Sequence, residues 1–134
     1  MTPDQPTDQQ PIATTRSRLL LVDDDRHLRR IIALGLKLEG YEVEQAANGQ
    51  EALEKLREHG AAAVIVDLMM PVMDGRAFIH KAREELGSTA PILVLTSVDR
   101  ANATRDLLDG GASGILHKPV KVSEIVKILR ELME

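Results

Sequence analysis

Carboxylate side chains stand directly after two apolar runs of this sequence. The first run ends at Val22 and is followed by Asp23, Asp24 and Asp25, and a second run leads to Asp67. A short apolar run that stops abruptly at charged residues is typical of a strand buried on both faces, with its carboxyl end at the surface. Carboxylates crowded together repel one another and hold raised pKa values unless a cation lies among them. We therefore predict a divalent cation site, and Mg²⁺ suits it best if a phosphate is to share the ion.

Two later apolar runs end in hydroxyl and basic side chains. Thr96-Ser97 follows one of them, and His117-Lys118 follows the other. In an open parallel sheet, ligand sites lie beyond the carboxyl ends of the strands, so these groups are expected near the acids. Carboxylates with Mg²⁺, a hydroxyl and an ammonium together suit phosphoryl transfer, in which a carboxylate can act as the nucleophile.

Five strand patterns and five helix patterns alternate along the chain and would position these side chains. Strands are predicted at Arg18–Val22, Glu42–Ala46, Ala63–Asp67, Ile92–Thr96 and Gly114–His117. Helices are predicted at about 26–39, 49–59, 76–86 and 100–109, and from about 121 onward. This alternation predicts an α/β fold in which helices cover both faces of a parallel sheet.

Two local signals refine the first helix. Leu28, Ile31, Gly35 and Leu38 are spaced by three and four residues, which predicts the apolar side of that helix. Asp25 is predicted to cap the start of the helix and not to bind metal, because aspartate favours caps and the positive end of the helix dipole. The second strand alternates only weakly and is therefore expected near an edge of the sheet.

Length and composition limit the possible functions. A chain of 134 residues suits one domain, here predicted over residues 18–134 after a disordered tail at Met1–Ser17 that has almost nothing to bury. The net charge of −4 argues against unspecific nucleic-acid binding, and the sequence has no cysteine for disulfides or thiolate metal sites. No segment is long and apolar enough to span a membrane, so we expect a cytoplasmic protein.

The motifs, in their order and spacing, resemble the receiver domain of two-component response regulators over about residues 18 to 134. The matching segments are Val22-Asp23-Asp24, Asp67 with Met70-Pro71, Met73-Asp74-Gly75, Thr96-Ser97, and Gly111-Ala112-Ser113-Gly114 leading to Lys118-Pro119. The resemblance implies a flavodoxin-like fold, with a doubly wound five-stranded parallel sheet in the order 2-1-3-4-5 and five helices. It also implies that the domain accepts phosphate from a sensor histidine kinase or a phosphotransfer protein.

The same resemblance assigns the metal ligands and the phosphoacceptor. Asp67 would accept the phosphoryl group. Asp24 and Asp67 would bind Mg²⁺ directly, Asp23 would bind it largely through water, and the backbone carbonyl of Met69 would complete the protein ligands.

Further roles follow from the resemblance at the ends of the last two strands. Thr96 would bond one phosphoryl oxygen and Lys118 another, and the Lys118-Pro119 peptide would be cis. Ile115 stands where the family usually has a Tyr or Phe that turns inward on phosphorylation, and Val120 replaces a common Phe. An isoleucine that rotates changes the surface less than a ring that becomes buried.

Two other protein classes share part of this pattern. A haloacid-dehalogenase-like phosphatase also uses a strand-end aspartate and Mg²⁺, but it places a general acid two residues after the nucleophile, where this chain has Met69. A flavin-binding flavodoxin-like protein must cradle a phosphate in its first loop, and Asp23, Asp24 and Asp25 would repel that phosphate. We therefore expect a phosphoacceptor signalling protein that assists its own phosphorylation, and not an enzyme.

Several forms of this signalling function remain open. A stand-alone regulator is favoured because the sequence ends with the fifth helix, and the alternatives are a receiver excised from a larger DNA-binding regulator or hybrid kinase, or a phosphate-independent binding module. The predicted output surface is the face of the fourth helix, fifth strand and fifth helix, which would bind an unidentified protein. We expect neither direct nucleic-acid nor membrane binding, and either a monomer or a phosphorylation-dependent dimer.

Overall fold

A computed structural model describes residues 18–70, 72–97 and 101–133 of the chain. The tail predicted over Met1–Ser17 lies outside the described residues, as does Pro71 of the quoted motif. The domain boundary at residue 18 therefore stays a prediction.

Strands and helices alternate as the sequence predicts. The strands β1 to β5 span Arg18–Val22, Glu42–Ala46, Ala63–Asp67, Ile92–Thr96 and Gly114–His117. The helices α1 to α5 span Arg26–Leu38, Gly49–His59, Gly75–Glu84, Ala101–Asp109 and Val122–Met133. The strand bounds agree with the prediction, and the helix ends agree with it or differ by at most two residues.

The largest difference concerns α3, which begins and ends earlier than predicted. The side chain of Asp74 accepts a hydrogen bond from the backbone N–H of Ala77, so the helix begins at Gly75. At the other end, Ser88 N–H donates to the carbonyl of Ala82. Gly87, with a φ of 66°, supplies the left-handed residue that turns the chain away from the helix.

All five strands are parallel and lie in the order β2-β1-β3-β4-β5. This confirms the predicted topology and places β2 at an edge, where its weaker alternation suggested it would lie. The carboxyl ends of β1, β3, β4 and β5 share one edge of the sheet, which is where the sequence placed the functional groups.

The sheet separates two apolar clusters. Leu20 and Val64 face a cluster that includes Phe78 of α3, while Leu19 and Ile65 face a second cluster with α1 and α5. Because alternate residues of β1 and β3 point to opposite faces and both faces are covered, the strand residues are apolar without interruption. Among the described residues, no helix is long and apolar enough to cross a membrane.

The buried side of α1 differs from the predicted stripe. Ile32, Ala33 and Leu36 are buried, whereas the side chains of Ile31 and Leu38 are 65% and 80% exposed. The prediction was right for Leu28, which packs against the second cluster, and for Gly35, where a Cβ would meet Val122, but wrong for Ile31 and Leu38. The centre of the buried side is turned by about one residue, or about 100° around the helix axis. Spacing alone fits neighbouring stripes equally well in a helix this rich in apolar residues. Packing against β1 and α5 selected the face.

Candidate functional site

Three carboxylates meet at the carboxyl edge of the sheet. One oxygen each from Asp23, Asp24 and Asp67 lie within 4.8 Å of one another. The parallel pairing of β1 with β3 brings them together, because Val22 is in register with Val66. Asp23 and Asp67 are buried and Asp24 is exposed, so the cluster has one side open to solvent.

Asp23 is the most enclosed member of the cluster. Its backbone N–H donates to the carbonyl of Ala46 over 3.1 Å, and its Oδ1 accepts from the N–H of Asp25 over 2.9 Å. Its Oδ2 is buried and has no hydrogen-bond partner among the described residues. Burial raises the pKa of the Asp23 carboxyl, the Asp25 amide lowers it, and the charge of Asp67 raises it.

These features fit the predicted Mg²⁺ site. A buried carboxylate oxygen without a partner is costly, and a hard cation with oxygen ligands would satisfy it. The neighbouring acids Asp24 and Asp67 would supply further oxygen ligands and the negative charge that such an ion requires.

Lys118 extends the site to β5. Its Nζ lies 3.2 Å from Oδ1 of Asp67, and its backbone N–H donates to the carbonyl of Thr96 over 2.8 Å. Thr96 is buried at the end of β4, and the Lys118-Pro119 peptide is cis, as predicted. The structure therefore brings the three acids, the hydroxyl residue and the ammonium residue to the same edge of the sheet.

The junction between β3 and α3 depends on a glycine. A Cβ on Gly75 would lie 2.9 Å from the Cα of Leu68 and 3.0 Å from the carbonyl oxygen of Asp67. Both neighbours are backbone atoms that cannot yield without moving Asp67. Gly75 also donates its N–H to the carbonyl of Leu68 over 2.9 Å. The start of α3 thus packs directly on the residues that carry the central carboxylate.

The loop after Asp67 exposes apolar side chains. Met69 is 65% exposed and Val72 is 85% exposed. Val72 has a φ of 69°, a conformation that β-branched residues rarely adopt. The thioether of Met69 has no proton to donate, so position 69 cannot supply the general acid of the phosphatase alternative. The role assigned to the Met69 backbone carbonyl stays a prediction.

Sequence reasoning missed Arg29. Its Nη1 donates to the backbone carbonyl of Asp23 over 2.7 Å, and its Nε donates to Oε1 of Gln45 on β2 over 3.1 Å. The sequence offers no signal for this contact, because Arg26, Arg29 and Arg30 are indistinguishable by residue type. Only the rotation of α1 against the sheet turns one of them toward the acids.

Comparisons with known proteins agree with this geometry. A family model described as the response regulator receiver domain matches residues 19–130. Response regulator MprA of Mycolicibacterium vanbaalenii is 39% identical over 116 residues, which cover 87% of this chain and 50% of that protein. The corresponding protein of Mycobacterium leprae is also 39% identical, with the same coverage. The chain therefore spans about half the length of these curated relatives.

Solved structures show the same fold. Chemotaxis protein CheY4 of Vibrio cholerae superposes with a TM-score of 0.82 and 34% identity, covering 87% of this chain and 98% of that one. A CheY-like receiver domain protein from Methanospirillum hungatei superposes with a TM-score of 0.81 and 28% identity, covering 87% and 93%.

Proposed function

This chain belongs to the response regulator receiver family of two-component signalling, and on that premise we propose that it takes a phosphoryl group onto Asp67. The observation that supports the proposal most strongly is the position of Asp67, which is buried, has an oxygen within 4.8 Å of oxygens of two other carboxylates and is paired with Lys118 at 3.2 Å. A carboxylate held beside other acids and an ammonium has the surroundings that acyl-phosphate chemistry requires.

The metal ligands in this proposal are Asp23, Asp24, Asp67 and the backbone carbonyl of Met69. Bound there, Mg²⁺ would neutralise charge on the phosphoryl oxygens. The buried and unpartnered Oδ2 of Asp23 supports the assignment, because a cation bound there would satisfy this oxygen.

The chemical step is carried by the Asp67 carboxylate. One of its oxygens forms a bond to phosphorus while the bond from phosphorus to the donor's histidine nitrogen breaks. The electron pair of that bond stays on the imidazole. Lys118 is close enough to Asp67 to move from the carboxylate to a new phosphoryl oxygen, and the Thr96 hydroxyl would bond another.

Phosphorylation would then change which partner the protein binds, or the phosphate would be relayed. Contacts from Thr96 and Lys118 to the phosphoryl group would favour the active member of two pre-existing conformations. The proposed output surface is formed by α4, β5 and α5, where Ile115 is half-buried against the core. The proposed donors are a sensor histidine kinase or a phosphotransfer protein, and the proposed compartment is the cytoplasm.

Two organisations of the protein are compatible with this chemistry. The same phosphoryl transfer would serve a stand-alone regulator as well as a receiver within a longer protein. The MprA relatives are about twice as long as the aligned region. In either case the domain would act as a phosphoacceptor that assists its own phosphorylation and slow dephosphorylation.

Intact-protein mass spectrometry after incubation with acetyl phosphate and Mg²⁺ tests the proposal. We expect the wild type to gain one phosphoryl group and Asp67→Asn to gain none. Asp109→Asn, which changes an exposed carboxylate of α4, is the matched control and should be modified like the wild type. If the wild type gains nothing from acetyl phosphate or from a kinase donor, the chain is better described as a phosphate-independent binding module.

A further inference from the structure

We propose that Arg29 is a positioning residue for the acidic cluster. By holding the backbone carbonyl of Asp23, it fixes the Asp23 carboxylate in the place where the cluster binds a divalent cation. The inference rests on the Mg²⁺-dependent function proposed above and adds to it a residue outside the set of side chains that would touch metal or phosphate.

Arg29 joins three elements around the end of β1. From α1, its guanidinium donates to the Asp23 carbonyl over 2.7 Å and to the Gln45 side chain of β2 over 3.1 Å. Its own backbone N–H donates to the carbonyl of Asp25 over 2.9 Å. A half-buried, charge-assisted hydrogen bond of this length is among the stronger polar contacts in a protein.

The other polar atoms of Asp23 explain why this contact matters. The backbone N–H is bonded to Ala46 of β2, and Oδ1 is bonded to the N–H of Asp25. With the carbonyl held by Arg29, Oδ2 is the polar atom of Asp23 that has no hydrogen-bond partner among the described residues. The backbone on both sides of the side chain is fixed, and one oxygen is left for an ion.

Because Arg29 is charged, the direction of the change in Mg²⁺ affinity after its replacement tests the proposal. A positive guanidinium near the cluster repels a second cation, so removing that charge should by itself strengthen Mg²⁺ binding. Loss of positioning should weaken it, because groups that orient metal ligands contribute to metal affinity. The two explanations therefore predict opposite changes after the same substitution.

Calorimetric titration of the full chain with Mg²⁺, without any phosphate donor, measures the effect. We expect Arg29→Met to bind Mg²⁺ about 10-fold more weakly than the wild type, in the range typical of groups that support metal ligands. Arg30→Met is the matched control, since it removes the same charge from an exposed neighbour on the same helix. It should bind at least as tightly as the wild type.

The rate of phosphorylation distinguishes a loss of metal-ligand positioning from general damage to the fold. With Arg29→Met, the Mg²⁺ concentration that gives half the maximal rate of modification by acetyl phosphate should rise by a similar factor. The rate at saturating Mg²⁺ should return toward that of the wild type. Arg29→Lys can reach only one of the two acceptors at a time. The Mg²⁺ concentration that it needs for half the maximal rate should lie between those of the wild type and Arg29→Met.

Gln45→Ala provides a variant that keeps every charge, should Arg29→Met not fold. It removes the acceptor of the Arg29 Nε, and we expect weaker Mg²⁺ binding than in the wild type, though less weak than in Arg29→Met. If Arg29→Met and Gln45→Ala both bind Mg²⁺ as tightly as the wild type or more tightly, the inference is overturned. If Arg29→Met does not fold, unchanged Mg²⁺ binding by Gln45→Ala is enough to overturn it. A wild type that binds no Mg²⁺ would refute the proposed function as well, whereas normal binding by the wild type and both variants would refute only the role of Arg29.

Discussion

The ammonium of Lys118, just after β5, lies 3.2 Å from the carboxylate of Asp67 at the end of β3. The two strands are not neighbours, since β4 lies between them. Lys118 therefore reaches across the end of β4, where its backbone is bonded to the Thr96 carbonyl. The acid and the ammonium are held by two different strands and bridge a third, which makes their contact sensitive to any shift between those strands.

Replacement of Lys118 by methionine should separate metal binding from phosphoryl transfer. In the proposed site the ammonium would compete with Mg²⁺ for Asp67, so Lys118→Met should tighten Mg²⁺ binding by about 10-fold, or about 1.4 kcal/mol. Modification of Asp67 by acetyl phosphate should nevertheless become slower, because the charge proposed to stabilise the phosphoryl oxygens is lost. Lys121→Met removes an exposed charge nearby and should change neither quantity. Weaker Mg²⁺ binding in Lys118→Met would contradict this account.

Asp23 should make the stability of the metal-free protein depend on pH. Burial raises the pKa of its carboxyl above the ordinary value of 3.8, so the folded state binds this proton more tightly than the unfolded chain does. Below pH 3.8 the Asp23 carboxyl is protonated in both the folded and the unfolded state, so it does not change the free energy of unfolding. As pH rises from 3.8 through the raised native pKa, the contribution of Asp23 to the free energy of unfolding becomes unfavourable.

Asp23→Asn should therefore be stabilised relative to the wild type in EDTA at neutral pH, and the advantage should vanish at about pH 3. Urea unfolding of both proteins across this pH range measures the difference in their free energies of unfolding. Asp24→Asn removes an exposed charge of the same cluster and should show a smaller advantage. A wild type that is as stable as Asp23→Asn at neutral pH without metal would show that burial of this carboxylate has little cost.

Gly75→Ala should damage the site through the backbone. The new Cβ would meet the Leu68 Cα and the Asp67 carbonyl oxygen at distances of 2.9 and 3.0 Å, so α3 or the end of β3 must move. We expect a loss of about 1–3 kcal/mol in the free energy of unfolding. Phosphorylation of Asp67 should slow by about 10-fold or more, because small displacements of reacting groups are costly. Gly114→Ala, whose Cβ would meet only side chains at ordinary distances of 3.5–3.6 Å, is the control.

Arg83→Met should reduce stability without affecting metal binding. The Arg83 guanidinium donates to the carbonyls of Ser88, Ala90 and Gly111, at the opposite end of the sheet from Asp67. Leaving these acceptors without a donor should cost about 3 kcal/mol in the free energy of unfolding. Lys81→Met, which removes an exposed charge from the same helix, should cost far less. An altered Mg²⁺ affinity in folded Arg83→Met would show that the two ends of the sheet are coupled.

Thr96→Ala should still accept phosphate at Asp67, but the conformational change that follows should reach β5 less strongly than in the wild type. Amide chemical shifts of β5 on addition of beryllium fluoride, a phosphoryl mimic, would measure transmission. We expect smaller shifts in Thr96→Ala than in the wild type, and recovery in Thr96→Ser, which keeps the hydroxyl. Shifts of equal size in Thr96→Ala and the wild type would place the switch elsewhere.

The sequence determined the strand bounds, the sheet type and which acidic and basic side chains meet at the carboxyl edge of the sheet. Strands buried on both faces are uninterrupted apolar runs, so β1 and β3 were visible together with the acids that end them. Because all carboxyl ends of a parallel sheet share one edge, Asp23, Asp67 and Lys118 could be grouped before any coordinates were known.

Tertiary packing decided what spacing could not. The apolar residues of α1 fit more than one stripe, and only contact with β1 and α5 buried Ile32 and exposed Ile31. That same rotation placed Arg29 on the carbonyl of Asp23 and left Arg30 in solvent. A sequence specifies which side chains are available, but the packing of a helix against the sheet fixes which of two identical neighbours reaches the site.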